Sequence, residues 1–265
     1  MLSIIILNYK NPPLLRLCLK SVTASISRDF KYEIIAVDNA SEYETRSVIT
    51  EEFPSVKLIP LKENLGYTRA NNIGLKEAIG DQLLILNVDI APLAGSIEKM
   101  SHYMNNRPQI GMLGPELLNF DGTHQDSCFR FYSPWTIIYR RLPFKLPFMK
   151  RELSRFRYAD ADLKQTQPVD WLMGSAILIS REAYEKVGPM DESFFHYFND
   201  VDWAQMFWEN GFEVVYYPLV SMYHYQKPGS RRFGLLGPIF NKQTRWHIRD
   251  GIKYFRKYSG TQVVF

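Results

Sequence analysis

The chain has 265 residues, 46% of them hydrophobic and 14% aromatic, with a formal net charge of +4. That is apolar material enough for one large folded domain, and it excludes global disorder. Two isolated cysteines, Cys18 and Cys128, exclude a disulfide framework or a cysteine-based zinc site and suit a reducing compartment, and the short apolar run after Met1 predicts neither a signal sequence nor a membrane span.

Ser3–Leu7 (SIIIL) is a continuous apolar run and predicts a strand buried on both faces. Leu14, Leu15, Cys18, Leu19 and Val22 recur at helical spacing, so Pro12–Ser25 predicts a helix with both prolines in its first turn. Tyr32–Val37, Val56–Leu61 and Gln82–Asn87 predict three further strands, with helices over Glu42–Glu52 and Tyr67–Ile79 between them. Such alternation implies an α/β fold, a mostly parallel sheet with helices on both faces. Ligands of such a sheet sit beyond the carboxyl ends of its strands. Asn8, Asp38, Asn64 and Asp89 follow the four strands and are the first candidate site residues.

Each candidate has a chemical and a structural reading. Asp38, in VDNAS, can accept the imide N–H of uracil or thymine, or make an Asx-turn before the next helix. Asn64-Leu65-Gly66 opens a helix whose N-terminus favours anions, and Arg69 within it points to a diphosphate or to solvent. Asn87-Val88-Asp89 places two oxygen ligands two residues apart, suited to a hard divalent cation that also binds phosphates, or to a simple turn.

The second half begins with a hairpin predicted at Asp121-Gly122. Residues 129–167 are rich in aromatic, proline and basic residues and have no assigned element. Asp170–Ser180 predicts one strand, Arg181–Lys186 a helix stopped by Gly188, Val201–Glu209 a helix, and Phe212–Tyr217 a strand. Asp200 follows the aromatic cluster Phe194–Phe198. Partial desolvation there would raise its pKa and make it a better general base, while the bland alternative is a cap on the following helix. Asp202 sits in that helix's first turn, where it also favours the dipole. His224 ends a strand-like segment and either completes a metal shell or makes a structural hydrogen bond. Asn241–Tyr258 predicts a basic amphipathic helix. From Tyr225 onward nine basic residues, Lys227, Arg231 and Arg232 among them, stand against Asp250 alone, a balance of +8 that leaves the first 224 residues at −4.

SIIILNYKN, VDNAS, ENLGYTRANNIGL, LLILNVDIAP, VDWLMGSAILISREAYEKVGPMDESFF and YFNDVDW occur in an order that resembles the family 2 glycosyltransferases of GT-A fold, in particular the rhamnosyltransferase-like branch. The resemblance covers roughly residues 1–225, and more weakly the basic C-terminal helix. It implies a GT-A domain: residues 1–115 as the nucleotide-sugar-binding half, 116–225 as the acceptor-binding and catalytic half, and 226–265 as a basic helical extension. It implies an inverting, metal-dependent transferase using Mg²⁺ or Mn²⁺ and a UDP- or dTDP-sugar, rhamnose at the family level, with a saccharide or lipid-linked acceptor. In that reading Asp200 is the catalytic base and Asp89 the metal end of a D-x-D-like motif, with His224 beside it. Asn8, Asp38, Asn64, Arg69 and Asn87 serve the nucleotide, and Trp171, Gly174, Ser175 and Asp202 the acceptor. Two positions depart from the family pattern: Asn87 stands where aspartate is usual, weakening the charge at the metal, and Asn199 where glutamate is common, leaving the base role to Asp200.

A nucleotidyltransferase making the activated sugar would want a glycine-rich phosphate loop after the first strand, where this chain has Asn8-Tyr9-Lys10-Asn11-Pro12. A non-catalytic nucleotide or nucleic-acid binder would have no need of Asp38, Asp89 and Asp200 together, and no nucleic acid is expected. The basic tail predicts an anionic partner or only a solvated helix face. The expected location is cytoplasmic, with peripheral contact at the inner face of the membrane.

Overall fold

The computed structural model describes residues 1–225 and 241–259; Lys227, Arg231 and Arg232 of the basic tail lie outside the described residues. In chain order the first half is β1 (Leu2–Asn8), α1 (Pro12–Ser25), β2 (Tyr32–Asp38), α2 (Tyr43–Ser47), β3 (Lys57–Pro60), α3 (Gly66–Glu77), β4 (Gln82–Asn87), β5 (Ile90–Pro92) and α4 (Ser96–Asn105). The second half is β6 (Ile110–Leu118), β7 (His124–Gln125), β8 (Cys128–Phe129), α5 (Pro134–Arg141), α6 (Pro147–Phe156), β9 (Gln167–Pro168), β10 (Trp171–Leu172), β11 (Ala176–Ser180), α7 (Arg181–Val187), α8 (Asn199–Glu209), β12 (Glu213–His224) and α9 (Lys242–Lys257).

The main sheet runs β3-β2-β1-β4-β11-β6-β12-β5. β3, β2, β1, β4, β6 and β12 share one direction, while β11 and β5 run against them, so the sheet is mixed where β11 is inserted. β11 lies between β4 and β6, which joins residues 1–115 and 116–225 in one sheet. Apolar side chains fill both faces: Ile4 and Ile6 pack with α1 on one side, Ile5 with Val37, Ala70 and Leu75 on the other. α1 begins as its sequence dictates, with Asn11 accepting from Leu14 N (3.3 Å) and proline at its first positions. The helix expected over Glu42–Glu52 is α2 continued by a π-helical turn, Val48–Glu52.

Two expectations are corrected and one unassigned stretch is resolved. The strand expected over Asp170–Ser180 is two strands. β10 pairs with β8 in a small separate sheet and β11 with β4 and β6, so the chain must change sheets at Met173-Gly174-Ser175. Residues 129–167, unassigned from sequence, hold the helical hairpin α5–α6, and α5 starts in a capping box between Ser133 and Thr136. The last strand reaches from Glu213 to His224, well beyond Tyr217.

Helix α9 is fastened through buried acids. Asp202 is fully buried and meets Lys257 Nζ at 2.8 Å and the Tyr258 hydroxyl at 2.9 Å. It does not line the cavity described below, which corrects its assignment to the acceptor: two residues along the helix are about 200° around its axis, which puts it on the opposite side from Asp200. Asp202→Ala should therefore lower unfolding stability by about 2 kcal/mol, because it takes the acceptor from both Lys257 Nζ and the Tyr258 hydroxyl and leaves a void behind them. Denaturant unfolding reads this; a raised acceptor KM at unchanged stability is the pattern expected of a direct acceptor contact instead. Among the described residues no helix is long and apolar enough to cross a membrane.

Candidate active site

A cavity of ≈ 1220 Å³ opens at the carboxyl end of the parallel strands. Asn64, Asn87, Asp89, Trp171, Gly174, Ser175, Asp200 and His224 all line it, so residues remote in sequence meet around one space.

Asp200 lies in the first turn of α8, which starts two residues earlier than expected; it is not the helix cap, because Phe198 holds that position in a left-handed conformation (φ 63°). A bulky residue at positive φ is strained and must be held by its surroundings. Buried Asp250 of α9 accepts from Tyr197 N (3.3 Å), and Phe198 packs against Tyr132 and Tyr254. Asp200 Oδ2 accepts from Gly174 N (3.1 Å) and Oδ1 from Val201 N (3.0 Å). Burial pushes its carboxyl up to about 6, with the backbone bonds opposing the shift. The break between β10 and β11 thus supplies the N–H that aims the carboxylate, and a Cβ on Gly174 would stand 3.1 Å from the Tyr67 hydroxyl and 3.4 Å from Asp200 Cβ.

Asp89 follows β4 in a turn, so the turn rather than strand pleating brings it beside Asn87. His224, the last residue of β12, is buried, and its Nε2 stands 3.6 Å from Asp89 Oδ1. Burial pulls its imidazole down to about 4, so it is neutral near pH 7. A hydrogen-bond chain fixes its tautomer. The Asp121 carboxylate can only accept, so the Thr123 hydroxyl donates to it (2.6 Å) and accepts from Asn119 Nδ2 (2.9 Å). Asn119 Oδ1 then accepts from Gln125 Nε2 (3.0 Å), which turns Gln125 Oε1 towards His224 Nδ1 (2.5 Å). Nδ1 therefore carries the proton, and the Nε2 lone pair faces Asp89.

Between the two centres stands Tyr67, which sequence reasoning missed. Its hydroxyl donates to Gly174 O (2.5 Å), and burial together with the charges of Asp200 and Asp89 raises its pKa. Gly66 before it has φ 81°, and a Cβ there would lie 2.7 Å from Phe195 O, so only glycine fits. Gln125 and Asn119 were also missed; the Asp121-Gly122 turn was the available signal, since its hairpin carries both. α9 contributes Lys242, Gln243, Trp246 and His247 to the wall, making the basic extension part of the site.

Three further expected nucleotide residues do not line the cavity. Asp38 is fully buried, with Oδ2 held by Arg46 Nε (2.8 Å) and Oδ1 by Asn8 Nδ2 (3.3 Å), so it and Asn8 brace the loop after β2 from below. The neighbouring Asn39 takes their place in the cavity lining: its Nδ2 donates to Asn64 Oδ1 (2.9 Å) and its Oδ1 accepts from Leu65 N (2.8 Å). Arg69 is exposed and pairs with Glu192 at 3.4 Å. Asn199 lines the cavity but is tied to Thr68 Oγ1 (3.2 Å). Trp171 donates to Arg130 O (2.9 Å) and stacks on Phe129, forming an aromatic wall beside Gly174.

The family profile described as "Glycosyl transferase family 2" matches residues 3–188. An N-acetylglucosaminyl-diphospho-decaprenol L-rhamnosyltransferase of Mycobacterium tuberculosis is 28% identical over 244 residues, covering 87% of this chain and 78% of that protein. The dTDP-rhamnosyl transferase RfbF of Shigella flexneri is 24% identical over 246 residues, covering 90% and 76%. Among solved structures, GalNAc-T7 with UDP, GalNAc and Mn²⁺ superposes with a TM-score of 0.66 at 18% identity over 86% of this chain. The mannosyltransferase PcManGT of Pyrobaculum calidifontis with GDP-Man and Mn²⁺ gives 0.62 at 18% identity over 98% of it. The chain spans 44% and 64% of those two solved chains, and the likeness is one of fold, the GT-A fold expected from sequence.

Proposed function

The chain belongs to glycosyl transferase family 2 and is a glycosyltransferase, and from that premise we propose that it transfers a deoxyhexose, rhamnose in the first instance, from a dTDP- or UDP-sugar to a lipid-linked saccharide with inversion. The observation that carries this reading is the meeting of Asp200 with the Asp89–His224 pair in one cavity, with Tyr67 on its wall.

In the proposed reaction Asp200 takes the acceptor hydroxyl proton through a lone pair left free by its two backbone bonds. The new bond forms at the anomeric carbon as the bond to phosphate breaks on the opposite face. The electron pair leaves on the nucleoside diphosphate. Asn39 and Asn64 line the nucleotide side, and Trp171, Gly174 and Ser175 the acceptor side. The residues fit a divalent cation, Mg²⁺ or Mn²⁺: an acid and a histidine of fixed tautomer face one point. Among the described residues no group of three or more His, Cys, Asp or Glu side chains could hold a metal ion, so donor phosphate oxygens and water would complete the shell. When bound, the cation neutralises charge on the leaving diphosphate. Two relatives bear names that support the donor and acceptor: one a diphospho-decaprenol rhamnosyltransferase, the other a dTDP-rhamnosyl transferase. The basic face of α9 suits contact with an anionic leaflet at the cytoplasmic side.

The test is turnover of a nucleotide-sugar panel with Mn²⁺, read by nucleoside diphosphate release and by NMR of the product anomer. dTDP- or UDP-sugar consumption with inverted configuration is expected. Retained configuration, or release of pyrophosphate, removes the reading.

A further inference from the structure

The α5–α6 hairpin turns its apolar face outward. Trp135, Ile138, Tyr139 and Leu142 follow one another at helical spacing along α5. The opposite side is already satisfied: Thr136 is fully buried, and Ile137 Cδ1 stands 3.5 Å from where a Cβ on Gly251 of α9 would lie. Trp135 and Ile138 are 58% and 47% exposed, and Phe144 and Phe148 in and after the connecting loop are 56% and 55% exposed. Trp135, Tyr139 and Phe148 form one patch, because Tyr139 lies 5.9 Å from Trp135 and 5.7 Å from Phe148, and Phe144 is exposed in the loop that joins the two helices. A contiguous apolar patch on this scale marks an interaction surface rather than scattered exposure.

The charge around the patch has one sign. From Pro134 to Arg157 there are seven basic residues and a single acid, Glu152, which Arg155 already neutralises at 2.9 Å. Lys150 and Arg151 are exposed and form no ion pair among the described residues. Outward aromatic rings in a cationic frame are the chemistry of a surface that seats at the headgroup level of an anionic bilayer. A protein partner has no comparable need for a uniformly basic rim. The hairpin also adjoins the site, since Arg140 at the end of α5 lines the cavity and donates to the Tyr132 hydroxyl (2.5 Å) on the same wall.

We propose that the α5–α6 hairpin docks the protein on an anionic membrane, seating Trp135, Phe144 and Phe148 among the headgroups beside the acceptor side of the cavity. The proposal deepens the reading of a lipid-linked acceptor and rests on it.

The test uses the purified full chain and vesicles containing neither donor nor acceptor. Flotation compares phosphatidylcholine alone with phosphatidylcholine carrying about 30% phosphatidylglycerol, at low and high salt. Recovery with the anionic vesicles is expected to fall on the order of tenfold in Phe144→Ser/Phe148→Ser and in Lys150→Glu/Arg151→Glu, while turnover of a soluble acceptor stays at the parent rate. Quenching of Trp135 fluorescence by brominated lipid, lost in Trp135→Phe, reports insertion directly. Equal flotation of parent and variants overturns the proposal. So does a dimer that Phe144→Ser/Phe148→Ser splits while neither form binds vesicles. A parent chain that transfers to a soluble acceptor yet fails to float with anionic vesicles sinks the hairpin alone; a parent chain that docks without any transfer sinks the functional reading instead.

Discussion

Asp200→Asn should abolish transfer to within measurement, a loss in kcat of about 10²–10⁴-fold, the usual contribution of a positioned general base. The amide keeps the shape but cannot take the acceptor proton. It also misfits its two donors: Gly174 N and Val201 N both point at carboxylate oxygens, and an amide has one oxygen for two N–H groups. Instability will not explain the loss. The folded-state pKa of Asp200 is raised to about 6, so its favourable linkage contribution is full below its unfolded value near 3.8 and is lost as pH rises through about 6. At pH 7 the ionised, largely desolvated carboxylate therefore opposes folding, and removing that charge offsets the N–H that the amide leaves unpaired, so the variant should stay folded under assay conditions, as a melting curve would show. The same shift sets the acid limb of the rate profile. kcat/KM for the parent should fall with unit slope below about pH 6 as the base protonates, provided donor binding is held saturated. A profile flat from about pH 5 to 8, or an Asp200→Asn enzyme at parental rate, removes Asp200 from the reaction.

The parallel half of the fold is legible because its signals are local. Short apolar runs such as SIIIL and QLLILN, too brief for a helix and set at regular intervals between helical patterns, read as buried strands, and α1 carries its own cap and prolines. What sequence does not carry is partnership. Nothing in Asp170–Ser180 says that the chain changes sheets at Gly174; that follows from β10 pairing with β8, more than 40 residues away. Yet this break delivers the N–H that orients Asp200. The place of Asp38 after β2 identifies the right loop, but that position alone does not show Arg46, which claims the carboxylate while Asn39 faces the cavity. Asp202 was misassigned for a related reason: its neighbour Asp200 shares the first turn of α8, but 3.6 residues per turn send the two side chains to different environments. His224 was read as either ligand or structural bonder. The Asp121–Thr123–Asn119–Gln125 chain, whose polarity is set by a carboxylate more than 100 residues earlier, fixes its tautomer, and no local sequence signal carries that.

That chain underlies the second large effect. Asp89→Ala should reduce kcat/KM by about 10³-fold, because it removes the only acid facing the His224 Nε2 lone pair among the described residues and with it the charge that would hold a cation against the donor diphosphate. The readout that isolates the cause is Mn²⁺ affinity in the presence of nucleoside diphosphate, measured by calorimetry or by the electron paramagnetic resonance of free Mn²⁺, not rate alone. Gln125→Leu supplies a graded comparison. It leaves Asp89 and His224 in place but takes the acceptor from His224 Nδ1, so the ring can present either tautomer or rotate, and Mn²⁺ affinity should drop about 10–100-fold. The order matters more than either value: parent tightest, Gln125→Leu intermediate, Asp89→Ala weakest, with excess Mn²⁺ restoring the middle one. His224 does not confuse the comparison near neutrality, since its imidazole, held down at about 4 by burial, stays unprotonated. Full activity of the parent in a chelator, together with parental Mn²⁺ affinity in Asp89→Ala, would mean that the leaving diphosphate is neutralised by side chains instead, for which Arg140, Arg157 and Lys242 on the cavity wall are the candidates.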